Sequence, residues 1–263
     1  MLIKDKEKYI DSLITLWNRV FGDDEDYIKL FFKEVYFDGE CFAETDGDKV
    51  VSAFYLLKCS IKCGGKIYFG RYLYAAATLP EYRGKGLMGR LIEEAENYVR
   101  AEKIDFIALV PANDSLYDYY GKFGFNESMY KYKLAINKET ATLRAFREIT
   151  DPEEFHGIRS SADCDMLVYN EVGNRYAFDC FKFMGSGIFS LDDRSYHIEN
   201  EEFFSASDDF SDSADTLINN LIGERELFTN CALEGAEKIR NGMIFSSDEG
   251  FAFKDIYMNI ALD

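Results

Sequence analysis

Ala75-Ala-Ala-Thr-Leu-Pro-Glu-Tyr-Arg-Gly-Lys-Gly-Leu-Met-Gly-Arg90 carries an apolar strand-like start, a proline, a glycine-rich turn and the opening of a helical pattern. Helix N-termini expose unpaired N–H groups and a partial positive charge, so a strand running through such a turn into a helix forms a seat for an anion. Glycine lets the backbone come close to a pyrophosphate, and Arg83, Lys85 and Arg90 add positive charge. The segment is not a Walker loop, which needs four residues between its first Gly and Gly-Lys-Ser/Thr, and it is not GxGxxG. The alternative is a strand–helix turn whose glycines supply conformational relief alone.

The flanking pattern gives this turn a context. Lys8 to Val20 predicts an amphipathic helix, with Ile10, Leu13, Ile14, Leu16, Trp17 and Val20 at helical spacing. Asp23 or Asp24 can cap a second helix through Tyr36. Strands follow at Cys41–Glu44, Val50–Ile61 and Lys66–Thr78, joined by glycine turns. Beyond the quoted stretch the helix runs to about Glu102, and the apolar run Ile104–Val110 predicts a buried central strand. Ser115–Phe123 reads as a helix and Glu127–Ile136 as a strand.

From Lys138 onward the chain predicts a strand at Leu143–Ile149, a helix at Pro152–Ser161 and another around Tyr176–Phe183. A hairpin at Gly187–Leu191 and Ser195–Glu199 follows, then a strand Glu202–Ala206, a helix Ser213–Ile222 and a strand Leu227–Leu233. The tail reads as β at Met243–Phe245 and Tyr257–Leu262. Hairpin, strand, helix, strand repeats the order of the first half, so two domains are expected, 1–137 and 138–263, the second a degenerate copy of the first.

Bulk properties exclude several classes. The 263 residues are 47% hydrophobic and 16% aromatic, which supports a packed core. No apolar run approaches the roughly 20 residues that span a bilayer, and MLIKDKEKYIDS is charged where a secretion signal is apolar. A cytoplasmic protein is expected, with no membrane partner. Six cysteines without a CxxC pair, and only two histidines, argue against a zinc site and for reduced thiols. The net charge is −18, and it is uneven: residues 1–137 carry 19 basic and 22 acidic side chains, residues 138–263 carry 11 and 26. Such acidity repels phosphate backbones, which argues against nucleic acid as a partner, and it would attract a cationic ligand. It is also a plain route to solubility.

Asn113-Asp-Ser-Leu-Tyr-Asp-Tyr-Tyr-Gly-Lys-Phe-Gly-Phe125 follows the buried strand closely. Together with the first segment it resembles the GNAT N-acetyltransferase superfamily. Arg83-Gly-Lys-Gly86 is similar to that family's Q/R-x-x-G-x-G/A signature, and Asn113 followed by Tyr120-Gly-Lys-Phe-Gly-Phe125 is similar to its N-x(6)-Y-x-K-x-G-F ending. Met88 departs from the pattern, standing where Gly or Ala is usual, with Gly89 next. That form, and the tandem arrangement, resemble the branch of enhanced-intracellular-survival aminoglycoside acetyltransferases, although its third, sterol-carrier-like domain has no room here. The implied fold is α+β (α/β layered): a mixed, mostly antiparallel central sheet flanked by helices, with a second, degenerate GNAT-like half.

The resemblance implies acetyl-CoA as co-substrate, no metal, and a small-molecule amine as acceptor. Ala76, Ala77 and Thr78 would pair with the pantetheine arm and offer an N–H to the oxyanion, and Arg83, Gly84, Lys85, Gly86, Leu87, Met88 and Gly89 would hold the pyrophosphate. Asn113 would bond the pantetheine or cap its helix. Tyr120 matches the family's general acid; its alternative is an aromatic on the inner helix face, and a slip of one position would exchange it for Tyr119. No acidic residue lies in Leu73–Thr78, where many relatives place the base. Water, a carboxylate from Asp23–Asp26 and the carboxylate at Asp263 are the candidates.

Three functions compete. An N-acetyltransferase acting on a small, cationic amine leads. A module that holds acyl-CoA without turnover is the alternative; Met88 and the absent base leave room for it. Aminoacyl-tRNA-dependent transfer needs a basic surface that the second half lacks. Exposed strand edges in that half leave room for pairing with a second subunit.

Overall fold

The computed structural model describes residues 1–138, 147–161, 165–191, 194–199, 202–205, 223–229, 234–248 and 250–258. Helix α1 (Ile10–Phe21) buries Leu13, Leu16 and Trp17 and stops at Gly22 in the left-handed conformation. Helix α2 (Glu25–Glu34) is capped by Asp24, whose carboxylate accepts from the backbone N–H groups of Asp26 and Tyr27. It ends two residues short of the expected Tyr36. Strands β1 (Glu40–Asp46), β2 (Lys49–Cys63) and β3 (Lys66–Thr78) form an antiparallel meander. Helix α3 (Leu87–Ala101) crosses back to β4 (Phe106–Leu109), parallel to β3. Helix α4 (Asp114–Gly121), β5 (Asn126–Glu127) and β6 (Met129–Lys138) complete the first half.

The second half opens with β7 (Arg147–Glu148), α5 (Pro152–Ser161), β8 (Met166–Tyr169) and α6 (Glu171–Phe183). Helix α6 starts five residues before the expected Tyr176, because the Asn170 side chain caps it by accepting from the Gly173 N–H. Strands β9 (Gly187–Leu191), β10 (Arg194–Glu199) and β11 (Glu202–Ser205) form a second antiparallel meander, and β12 (Gly223–Thr229) runs parallel to β11. This repeats the β1–β4 pattern, so the tandem arrangement is a feature of the fold. Strands β13 (Glu237–Arg240), β14 (Met243–Ser246) and β15 (Ile256–Tyr257) follow. The expected helix Ser213–Ile222, and the outer parts of Leu143–Ile149, Leu227–Leu233 and Tyr257–Leu262, lie outside the described residues. Strands β8 and β13 were not anticipated.

Pairing crosses the sequence boundary at 138. Strand β14 lies between β4 and β5, with Met243 opposite Leu109 and Glu127. In exchange, β6 pairs with β12 and β13, and β8 adds to the edge of β2. Each half thus lends a strand to the other, and one sheet runs through both. Two apolar layers cover it: Trp17, Phe31, Tyr55, Tyr74 and Tyr176 on the side of α1, α2 and α6, and Phe54, Leu91, Ile92, Tyr120 and Phe245 on the side of α3 and α4.

Gly242 marks the crossing into β14. Its φ of +136° is open to glycine, and a Cβ would lie 2.3 Å from the Met129 methyl and 2.8 Å from the Leu109 carbonyl oxygen. Gly242→Ala is expected to destabilise the protein by about 2 kcal/mol or more in a urea titration, from backbone strain and overpacking together.

Candidate active site

Strands β3 and β4 pair only over Gly70–Tyr72 and Phe106–Ala108. Beyond that, among the described residues, no strand pairs with the facing edges, and the two strands part. On its other edge β3 carries a bulge, where the register with β2 shifts between Tyr74 and Ala77 and Ala75 adopts φ +50°. A bulge leaves a residue unpaired and re-aims it, here beside the opening between the strands. The opening is a cleft of about 260 Å³ whose walls include Trp17, Asp23, Tyr74, Ala76, Leu116 and Tyr120. All its described lining residues lie before residue 121.

The glycine turn stands at the far end of β3. Pro80–Tyr82 make a single 3₁₀ turn, Gly84 and Gly86 have φ +74° and +71°, and Gly86 caps α3 with no side-chain hydrogen bond. A Cβ at Gly84 would meet nothing within 4 Å, so the turn faces open space. The first helical bond runs from the Arg90 N–H to the Gly86 carbonyl, which leaves the amides of Leu87, Met88 and Gly89 at the helix start without intrahelical partners. No acidic residue stands in the first turn of α3. These groups suit an anionic ligand such as a pyrophosphate.

The side chains around the turn mostly hold the turn itself. Arg83 Nε donates to the Thr78 carbonyl at 3.1 Å, Arg90 Nη1 donates to the Lys85 carbonyl at 3.1 Å, and Lys85 lies over the Tyr82 ring. Leu87 and Met88 pack against the two apolar layers and seat the first turn. A Cβ at Gly89 would lie 3.0 Å from the Phe123 ring, so its smallness serves the approach of α3 to the chain after α4. Of the strand residues expected at the donor, Ala76 lines the cleft. Ala77 is buried opposite Ala53, and Thr78 shares a 2.7 Å hydrogen bond with Ser52.

Asn113 occupies the N-cap position of α4, yet its side chain makes no capping bond; its Oδ1 accepts from the Ser115 hydroxyl at 2.7 Å. The three tyrosines of α4 point different ways. Tyr117 lies under Arg240, whose guanidinium is 4.0 Å from the ring centroid. Tyr119 packs against Phe123, beside Gly89. Tyr120 lines the cleft, packs on Phe125, and makes no hydrogen bond among the described residues. Burial, helped by neighbouring Tyr119, pushes its phenol well above the usual tyrosine range, so it stays a proton-bearing donor at any ordinary pH.

Asp23 is the carboxylate that reaches the cleft, and its Oδ2 accepts from Trp17 Nε1 at 2.7 Å. Asp24 is spent on capping α2, and Asp263 lies outside the described residues. Two features escape a local sequence reading. Tyr74 joins Tyr27 and Tyr176 through hydroxyl contacts of 3.2 and 3.3 Å, bringing α6 up behind the cleft. Arg240 of β13 pairs with Asp114 and Glu127 at 2.8 and 2.9 Å and fixes the start of α4. Arg240→Met is expected to speed amide exchange across Asp114–Gly121 several-fold while leaving β2 and β3 protected.

Residues 3–128 match the family model of the acetyltransferase (GNAT) domain. They form a GNAT domain. The likeness to solved structures extends over most of the chain. A probable N-acyltransferase from Enterococcus faecalis V583 superposes with a TM-score of 0.68 at 11% identity, covering 93% of this chain and 72% of that one. A GCN5-related N-acetyltransferase from Kribbella flavida gives 0.66 at 17%, covering 94% and 72%. Eis1 from Mycobacterium abscessus gives 0.67 at 9%, covering 94% and 74%. At these identities the likeness is one of fold. A search of the curated proteins found none that matches significantly. Among the described residues, no helix of this chain is long and apolar enough to cross a membrane, and no group of His, Cys, Asp or Glu is placed to hold a metal.

The buried thiols and phenols make stability pH-dependent. Burial raises Cys41 and Cys180 to about 12 and lifts Cys59, Tyr55, Tyr74 and Tyr176 well above their ordinary values. Their stabilising contribution is whole below the unfolded pKa and fades as pH rises above it. Stability should therefore decline from about pH 8.5, where unfolded thiols ionise, and faster above about pH 10, where phenols follow. Urea titrations across pH 7–11 test this; a flat profile would contradict it.

Proposed function

We propose that this protein transfers an acetyl group from acetyl-CoA to a primary amine of a small, cationic acceptor. The observation that carries the reading is the course of β3, bulged on its β2 edge and unpaired with β4 beyond Tyr72. It leads from the open amides of Leu87–Gly89 to a cleft holding Tyr120 and Asp23. The amides at the start of α3 hold the pyrophosphate, and the exposed edge around Ala76 receives the pantetheine arm. A backbone N–H at the bulge stabilises the oxyanion as the amine nitrogen attacks the thioester carbon.

As the C–S bond breaks, Tyr120 gives its proton to the departing sulfur. The proton lost by the amine passes to Asp23, directly or through water. Asp23 also supplies the negative charge that favours a cationic acceptor, with Trp17 and Tyr74 as aromatic walls. The acidic second half adds to that attraction at longer range.

Calorimetry with acetyl-CoA, followed by acetylation assays on polyamines and aminoglycosides, tests the proposal. Micromolar binding and turnover of a cationic amine are expected. Folded protein that binds neither acetyl-CoA nor longer acyl-CoAs would overturn it, and binding without turnover of any amine would leave a CoA-holding module.

A further inference from the structure

The wall of the cleft away from Ala76 and Tyr120 comes from α1 and the turn after it, and its chemistry is lopsided. Among the described lining residues Asp23 is the one charged side chain, and none is Ser, Thr, Asn, Gln, His, Lys or Arg. Trp17 and Tyr74 are buried and floor the opening, with ring centroids 5.5 Å apart. Their polar tips are turned to protein partners: Trp17 Nε1 donates to Asp23 Oδ2, and the Tyr74 hydroxyl meets those of Tyr27 and Tyr176. Phe21 stands on Trp17 at 6.1 Å, edge to face, and is 45% exposed. A bare aromatic ring thus lies beside a lone carboxylate.

That carboxylate is held but not neutralised. Asp23 is half-buried; Trp17 fixes its Oδ2 at 2.7 Å, and its Oδ1 has no hydrogen-bond or ion-pair partner among the described residues. The acids next in sequence are engaged, Asp24 by the α2 amides and Glu25 by Lys29 at 2.7 Å. The cleft therefore offers one ammonium one oxygen. A second ammonium, or the hydroxyls of a sugar ring, would find no side-chain partner within it, and each one drawn in loses water. An apolar body loses nothing there and covers Phe21. At about 260 Å³ the cleft is also smaller than the roughly 300–1,000 Å³ pockets that enclose drug-sized ligands, so an acceptor of several rings is too large for it.

We infer that the acceptor is a primary monoamine borne on a compact apolar body, its ammonium at Asp23 Oδ1 and its body on Phe21 above the Trp17 and Tyr74 floor. This assignment rests on the acetyl-transfer reading and narrows its acceptor from cationic amines in general to amines of a single charge.

Trp17 is the one tryptophan of the chain, so its fluorescence reports amine binding with or without turnover. Phenethylamine should change the emission of the full chain saturably, with a Kd below about 1 mM. Spermidine, which lacks the apolar body, and 2-phenylethanol, which lacks the charge, should each bind at least about tenfold more weakly. Asp23→Asn keeps an acceptor for Trp17 Nε1 and should erase the preference for phenethylamine over 2-phenylethanol. Phe21→Ala, at an exposed position, should weaken both. With acetyl-CoA, kcat/KM for phenethylamine should exceed that for spermidine and kanamycin by at least about tenfold. No saturable response to phenethylamine up to about 10 mM, or an unchanged preference in Asp23→Asn, would overturn the site. Acetyl-CoA binding with preferred turnover of spermidine or kanamycin would overturn the monoamine class and keep the acetyl-transfer reading. A folded chain that binds no acyl-CoA would instead overturn that reading, and the acceptor with it.

Discussion

Gly86→Glu is expected to bind acetyl-CoA roughly 100-fold more weakly than wild type, a loss of about 2.7 kcal/mol. Gly86 caps α3 at φ +71°, where a side-chain-bearing residue costs ~1–2 kcal/mol. Its Cβ would approach only Arg90 Nη1, at 3.7 Å, so no packing is broken. A carboxylate beside a helix N-terminus favours the helix, which keeps the domain folded. The same carboxylate occupies the amides of Leu87–Gly89 and repels a pyrophosphate. Gly86→Ala brings the strain without the charge and should lose only a few-fold. Calorimetry on the three proteins, with thermal melts as the folding control, decides it; wild-type affinity in the Glu variant would mean the turn is not the seat.

Tyr120→Phe should lower kcat by roughly 10²–10⁴ while acetyl-CoA binding stays unchanged. The ring packs against Tyr119 and Phe125 with centroids 5.4 and 5.8 Å away, and phenylalanine preserves both contacts. The hydroxyl alone is lost, and among the described residues nothing else depends on it. Tyr119→Phe, facing α3 instead, should leave kcat within a factor of about three. A Tyr120→Phe enzyme with full kcat would remove the phenol from the mechanism. Because burial raises the Tyr120 phenol, wild-type kcat should show no alkaline loss from this group until above pH ~10.

The first half was legible because its signals are local. Helical spacing in Leu13–Leu16–Trp17, the Asp24 cap, the Gly64-Gly65 turn and the glycine stretch before α3 each declare their structure within a few residues. Tyr120 came from a motif, and its separation from Tyr119 needed the direction of each side chain on α4. The second half was legible in order but not in pairing. Strand β8 is four residues long and marked by no alternation, because both its faces are covered. Arg240 gives no hint in sequence that it reaches Asp114, 126 positions earlier. Nor does Met243–Phe245, read as a tail strand, reveal that it belongs beside Leu109. Such partners are chosen by topology, which periodicity does not encode.

The placement of β14 also sets an order of events during synthesis. Met243 follows Leu109 by 134 positions, so on a ribosome adding about 5–20 residues per second the two meet on the order of ten seconds apart. For that interval β4, the floor of the cleft, has an unpaired apolar edge at Phe106–Leu109, the kind of edge that recruits strands from other chains. Nascent chains of this protein should therefore lean on chaperones longer than a self-contained acetyltransferase domain would. A lesion that delays or unseats residues 243–246 would appear first as aggregation of the first half, well away from the altered site.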